Sequence, residues 1–383
     1  MKFLPCIFSF FSGCGFLDLG FETSGYQIVY VNEIFPPFML AYCYSREMLK
    51  LPQPEYGYYQ GDAADVSKLV EGMAAQKLAE LVQESRKNYD IVGFIGGPPC
   101  PDFSIGGKNK GYLGDNGKLS DSYVELICQH LPDFFLFENV KGLWKTKKHH
   151  LFYESLKIKL QQAGYVLTER LINTIEYGVP QDRERIILIG FKTSSLQDLG
   201  VNTLNLNLYF PWQKYILYPQ AQVFKYPWRK CEPFKLDSLL PFPDDIPLEL
   251  TVEYWFRKNE VLNHPNAEDY FQPRAGIIKF ATVDEGDDSK KSFKRLHRWR
   301  YSPTACYGNN EVHLHPYKMR RISVAEALAI QSLPANFVLP ENMSLTNKFK
   351  TVGNGVPFLA AKALAQTILD FFTTHPATFH NIS

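Results

Sequence analysis

Short apolar runs, each closed by glycine, proline or an acidic residue, punctuate the first half of the chain. IFSFF (7–11) predicts a buried strand, and the SGCGFLDLGFE that follows predicts a glycine turn opening into a helix. Tyr26 to Val31 predicts a second strand, ending in Asn32-Glu33, and Ile91 to Ile95 a third, ending in Gly96-Gly97-Pro98-Pro99. Phe134 to Phe137 predicts another, delivering Glu138-Asn139-Val140, and Tyr165 to Asn173 alternates as a strand does. YGVPQDRERIILIGF (177–191) is a turn and then a strongly apolar strand, with Arg183 and Arg185 on one face at period two. Helical patterns fall near 66–86, 120–131, 323–333 (ended by Pro334) and 357–372, with Pro357 in the first turn and TVGNGVP (351–357) as a tight turn before it. Strand–helix alternation of this kind predicts an α/β fold, a doubly wound and mostly parallel sheet.

From about residue 193 the texture changes. Residues 193–318 are rich in Pro, Tyr, Trp and Asn and show neither a sustained helical period nor a βαβ rhythm. They predict a second, smaller and irregular domain. The first, larger domain is then 1–192, made discontinuous by its completion with 345–383, and 319–344 forms a hinge and returning helix.

With 383 residues, 45% hydrophobic, the chain is long enough for two domains or one large domain with an insertion. A net charge of +1 excludes a polycation, so any nucleic-acid surface is a local patch. The densest candidate is KKSFKRLHRWR (290–300), where Lys290, Lys294, Arg298 and Arg300 alternate with Phe293 and Trp299. A solvated basic face is the alternative. Seven scattered cysteines without a C-x-x-C pair argue for a reducing compartment and against a zinc site. His313 and His315 read as loop histidines, so no metal is expected. The opening MKFLPCIFSFF lacks an A-x-A cleavage site and reads as a strand, and no apolar segment approaches the roughly 20 residues of a spanning helix.

The candidate chemistry lies at strand ends. Cys100 follows a rigid Pro-Pro pair at the carboxyl end of a strand, where open α/β sheets place ligands. Alone it is a nucleophile, a metal ligand or an inert loop cysteine. Glu33, 18 residues after Gly15, suits ribose hydroxyls or is a solvated carboxylate. Asp62 reaches an adenine amino group or begins a turn. GGKNKGYLGDNGK (106–118) is a lysine-bearing loop suited to closing over phosphates.

Taken in order, FSGCGFLDLGFE, NE, GD, GGPPCPDFS, ENV, QDRER and GNGVP resemble the motif set of the cytosine-5 DNA methyltransferases, over residues 7–192 and about 302–365. The resemblance implies a bacterial-type modification methylase that flips a cytosine from duplex DNA and transfers methyl from S-adenosylmethionine to carbon 5. It implies Cys100 as nucleophile, Glu138 as the base-contacting acid, and Arg183 and Arg185 as the pair ordering the site. It places Phe11, Gly13, Gly15, Leu17, Glu33, Asp62, Pro98, Leu119 and Asn354 around the cofactor, Ser104 and Lys108 on DNA, and target recognition in 193–318. The expected partner is double-stranded DNA, with a cognate restriction endonuclease acting separately if the enzyme belongs to a restriction–modification system and none if it is an orphan methylase. The expected state is a monomer in a bacterial cytoplasm, without a membrane. Three residues depart from the pattern: Phe16 replaces a second glycine, Ile34 the aromatic that stacks on adenine, and Ala325 a frequent arginine. The rival readings are a tRNA-type homologue, whose Cys-Phe-Thr tripeptide is missing, and a DNA-binding homologue without catalysis. A zinc cytidine deaminase is a third, and its H-x-E…P-C-x-x-C signature is missing.

Overall fold

A computed structural model describes residues 3–99, 115–200, 206–272, 277–290, 292–305, 307 and 311–374. Seven strands form one sheet: β1 (Pro5–Phe10), β2 (Gln27–Glu33), β3 (Tyr58–Gln60), β4 (Ile91–Gly96), β5 (Phe134–Val140), β6 (Tyr165–Asn173) and β7 (Glu184–Lys192), in the order β3-β2-β1-β4-β5-β7-β6. All pairings from β3 to β5 are parallel, whereas β7 lies antiparallel to both β5 and β6. The central strands β1 and β4 are buried along their whole length, which is why they read as continuous apolar runs.

Helices cover both faces: α1 (Phe16–Thr23), α2 (Pro36–Met48), α3 (Gly72–Asn88), α4 (Asp115–His130), α5 (Lys141–Lys145) and α6 (Lys147–Gln162). Short helices follow, α7 (Thr193–Asp198), α8 (Leu206–Tyr209), α9 (Gln220–Val223), α10 (Val252–Lys258) and α11 (Ile278–Ala281). Then come α12 (Val324–Ile330), α13 (Leu345–Asn354) and α14 (Phe358–Thr373). The helix expected over 66–86 begins later, because Gly61–Ala64 and Val66–Lys68 form two 3₁₀ turns first and α3 starts at Gly72. TVGNGVP is not wholly a turn: Thr351 to Asn354 close α13, and only Gly355 to Pro357 change direction.

The last helix comes home to the first. A β-carbon on Gly20 of α1 would stand 2.6 Å from the Ala361 backbone of α14, so only glycine allows this approach. Ala360, Leu364 and Phe371 of α14 share one apolar cluster with Ile7, Phe21 and Phe134. Leu206 and Phe210, with Trp212 and Tyr215 against them, join that same cluster, so the sheet's core extends past residue 193. Farther on, Val252, Trp255 and Leu296 pack with Phe16, Phe38 and Ile330 in a second shared core. Leu345–Thr373 has the length and apolarity to cross a bilayer, contrary to the expectation of no such stretch. It is two helices joined at Gly355 to Pro357, and 61% of its most apolar window is buried.

Candidate active site

The carboxyl edge of the sheet collects the functional side chains. At β5 and β7, Val140 pairs with Arg185, so Arg185 shares a face with Glu138 two residues away. Their side chains meet, Arg185 Nε to Glu138 Oε1 at 2.9 Å, both largely buried. The other carboxylate oxygen lies over Gly97: a β-carbon there would stand 2.8 Å from Glu138 Oε2. Asn139 Nδ2 donates to the Pro98 carbonyl at 3.4 Å, which ties the β4 loop to the tip of β5. Buried Pro98 thus lies one strand from Glu138, two residues before Cys100. Cys100, Ser104 and Lys108 lie outside the described residues, as does most of the glycine–lysine loop.

Arg183 does not share a strand face with Arg185, as period two suggested. It precedes β7, is 1% exposed, and donates to the carbonyls of Ala305 at 3.3 Å and Gly353 at 3.0 Å. It therefore braces three separate segments behind the site. Lys141 pairs with Glu184 beside Arg185.

At β1 and β2, the glycine turn closes around an acidic tip. Phe11, Gly13 and Gly15 all have positive φ, at 53°, 58° and 84°. Glu33 accepts from the backbone N–H groups of Gly13 at 2.9 Å and Phe35 at 2.8 Å. Burial raises its carboxyl above the ordinary range, against which the two N–H groups and Lys350 work. Gly15 has no room for a side chain, because the Tyr42 ring stands 2.7 Å from where its β-carbon would be. Tyr42 in turn donates to buried Asp18 at 2.7 Å, as does Ser9 at 2.7 Å. Leu17 is half-buried in the first turn of α1, Leu119 is half-buried on α4, and Asn354 is exposed at the end of α13. Asp62, 91% exposed in its side chain, pairs with Lys68 at 2.6 Å.

This edge fits S-adenosylmethionine. A carboxylate accepts at about four positions, and Glu33 uses two of them on backbone, leaving capacity for ribose hydroxyls. Gly13 meets nothing closer than 3.9 Å from its absent side chain, so a ligand can approach the turn. Of the departures, Phe16 is 1% exposed and turns into the core against Gly355 and Phe337, away from the turn's open side. Ile34 is 49% exposed, and Ala325 is buried inside α12. Tyr42 and Lys350 escaped sequence reasoning. Lys350 lies one turn before Asn354 with its ammonium 5.4 Å from the Phe35 ring centre, a signal that spacing from a motif residue would have exposed.

The basic cluster is mostly internal. Arg298 is 3% exposed and is held by Glu285 and Ser238, so it is not free to read a base edge as the sequence suggested. Arg295 is likewise buried on backbone carbonyls, including that of Val283 at 2.8 Å. Arg300 pairs with Asp288 at 3.4 Å, Lys294 is half-buried and Lys290 is exposed. His313 and His315 are both buried rather than on exposed loops, and no metal-binding group of His, Cys, Asp or Glu occurs among the described residues.

A sheet with one reversed strand, a glycine turn after β1 and an acidic tip on β2 defines a Rossmann-like methyltransferase. The chain belongs to the C-5 cytosine-specific DNA methylase family, whose model matches residues 6–370, and is a DNA cytosine-5 methyltransferase. It is 58% identical to the Type II methyltransferase M.NmeDI of Neisseria meningitidis serogroup C over 96% of this chain and 84% of that protein. It is 27% identical to M.FnuDI of Fusobacterium nucleatum over 95% of each chain. Among solved structures, a DNA modification methyltransferase encoded within an E. coli prophage superposes with TM-score 0.63 at 20% identity, over 97% of this chain and 99% of that one. A Spodoptera frugiperda DNMT2 mutant does so with TM-score 0.55 at 18% identity, over 96% and 99%. Both share the fold.

Proposed function

We propose that the chain is the modification enzyme of a Type II restriction–modification system, with Cys100 as its nucleophile and the Glu138–Arg185 pair as its electrostatic partner. The observation that carries the reading is that ion pair, set at the sheet edge beside the Gly97–Pro98 loop that leads to Cys100. Carbon 5 of cytosine is a poor nucleophile. The Cys100 thiolate bonds to carbon 6, which breaks the ring's aromaticity and makes carbon 5 electron-rich. Glu138, after taking up a proton from water, donates it to ring nitrogen 3, where the displaced electron density accumulates. Arg185 fixes the Glu138 carboxyl and contributes positive charge that favours a thiolate. S-adenosylmethionine, when bound, supplies the electrophilic methyl group. Phe11, Gly13, Gly15, Leu17, Glu33, Asp62, Pro98, Leu119 and Asn354 hold it. Water takes the proton from carbon 5, the freed electron pair re-forms the 5,6 double bond, and the Cys100–carbon 6 bond breaks to release the thiolate.

None of this proceeds within a stacked duplex, so the cytosine is flipped out at a cost of a few kcal/mol. Ser104 and Lys108 on the loop, with Lys290, Lys294 and Arg300 in 193–318, offset that cost through DNA contacts. Similarity to M.NmeDI supports the restriction–modification setting and a separate cognate endonuclease. Bisulfite sequencing of DNA from cells expressing the chain should show one methylated sequence context, absent with Cys100→Ala. Duplex carrying 5-fluorocytosine at that site should trap the wild type covalently in the presence of S-adenosylmethionine. A trapped Cys100→Ala protein would refute the nucleophile assignment.

A further inference from the structure

Exposed cations able to meet a phosphate backbone lie outside the 290–300 cluster as well as in it. Strand β5 runs from Glu138 through Val140 straight into α5, so α5 begins three residues beyond the base-contacting acid. Buried Leu143 fixes how this short helix sits against the body of the protein. Its first residue, Lys141, is clamped to Glu184 next to Arg185, which keeps it at the site's rim. Lys145 is one turn further along the same face, a rise of about 6 Å. Thr146 separates the two helices, and Lys147 then opens α6. Lys145 and Lys147 are both exposed, and no acidic residue pairs with either among the described residues. The placement of Lys147 also runs against local helix energetics. The first turn of α6 holds no acidic residue and begins with Lys147, where the helix dipole disfavours a cation. An anion drawn to the lysines would relieve that conflict.

We propose that Lys145 and Lys147 form a phosphate-contacting strip that holds duplex DNA on the catalytic side of the site, flanking the place where Glu138 meets the cytosine. The proposal rests on the reading of the sheet's carboxyl edge as the DNA-facing edge. The strip positions DNA without reading sequence, because phosphates carry no base identity. It also gives the enzyme a grip on the strand independent of the recognition segment, whose arginines 295 and 298 are spent on internal bonds.

The test is a salt titration of duplex binding, read by fluorescence anisotropy, for the full chain and its Lys145→Ala, Lys147→Ala and double variants. Each single change should reduce the slope of log K against log salt by about 0.9 and weaken binding about fivefold near 0.15 M salt. Target and non-target duplexes should suffer alike. Lys145→Arg and Lys147→Arg should retain the wild-type slope, and cofactor affinity by calorimetry should stay unchanged in every variant. A wild-type slope in the double variant would overturn the proposal, and so would a loss confined to the target sequence. Failure of the wild type itself to bind duplex DNA would instead overturn the underlying reading of the edge.

Discussion

Glu138 is held by Arg185 through one oxygen, and its other oxygen fills the space that a side chain at Gly97 would occupy. Two substitutions separate these roles. Glu138→Gln should retain fold and cofactor binding yet slow single-turnover methyl transfer by roughly 10²-fold or more. Gly97→Ala leaves every ionisable group in place but drives a methyl into Oε2. It should therefore cost rate through displacement of the carboxylate while the cofactor Kd stays near wild type. Equal rates for Gly97→Ala and wild type would mean that the carboxylate is not held where the chemistry needs it. At this scale the sequence was legible where a motif names a residue and silent where packing decides. Glu33 and Glu138 sit at strand tips as the apolar runs implied. Arg295 and Arg298 looked like surface charge in a basic cluster, because burial of an arginine on distant partners leaves no mark on local spacing. Phe16 is the reverse case: a departure from pattern that the core absorbs against Gly355.

Among elements, α12 is the most tightly specified. Ser323 and Glu326 form a reciprocal capping box at its start, and Glu326 also takes both bonds of Arg320, at 2.8 and 2.7 Å, and faces the buried ring of His315 at 3.3 Å. Burial opposes ionisation of Glu326, yet His315 and Arg320 hold its carboxyl down at about 2. Glu326→Gln should thus destabilise the protein by about 1–3 kcal/mol at neutral pH, since it removes the carboxylate charge from the partly buried Arg320 guanidinium. The sign of the pH effect follows from a folded-state value below the unfolded one. The carboxylate's contribution is complete above the ordinary glutamate range near 4.5 and fades as pH falls towards 2. Denaturation curves at pH 7 and pH 3 should accordingly show the wild-type advantage shrinking in acid. The capping pattern S-x-x-E made this helix's start readable, whereas its end at Ile330, before the expected 333, was not. Similarly, α13 swallowed half of a glycine-marked turn, because packing of Phe349 and Val352 in the core outweighed the local preference of Gly353.

For the whole molecule, the alternation of apolar runs was enough to give a parallel α/β sheet, but not the reversal of β7, which follows a ten-residue return from β6 through a 3₁₀ turn at Thr174–Tyr177. Nor did composition reveal that residues 206–215 complete the sheet's core, since aromatic side chains serve a loop or a core equally well. The pairing of α1 with α14 invites a direct test. Gly20→Val places a branched side chain against the Ala361 backbone, which no rotamer can avoid. It should cost about 1–3 kcal/mol in unfolding free energy and raise the KM for S-adenosylmethionine, because α1 carries the glycine turn at its head. An unchanged melting temperature would show that α14 contributes little to the hold on α1.

That contact also sets a timetable for birth on the ribosome. Ser24, at the end of α1, bonds to the Lys362 carbonyl of α14, 338 residues later. At about 5–20 residues per second, the nascent protein waits roughly 20–70 s between making the first partner and the second. Throughout that interval the apolar flank of α1 and the sheet face carrying Ile7 are without their α14 cover. A cell making this protein therefore closes the α1–α14 seam only when α14 emerges, and a chain arrested or clipped before it is a candidate for aggregation.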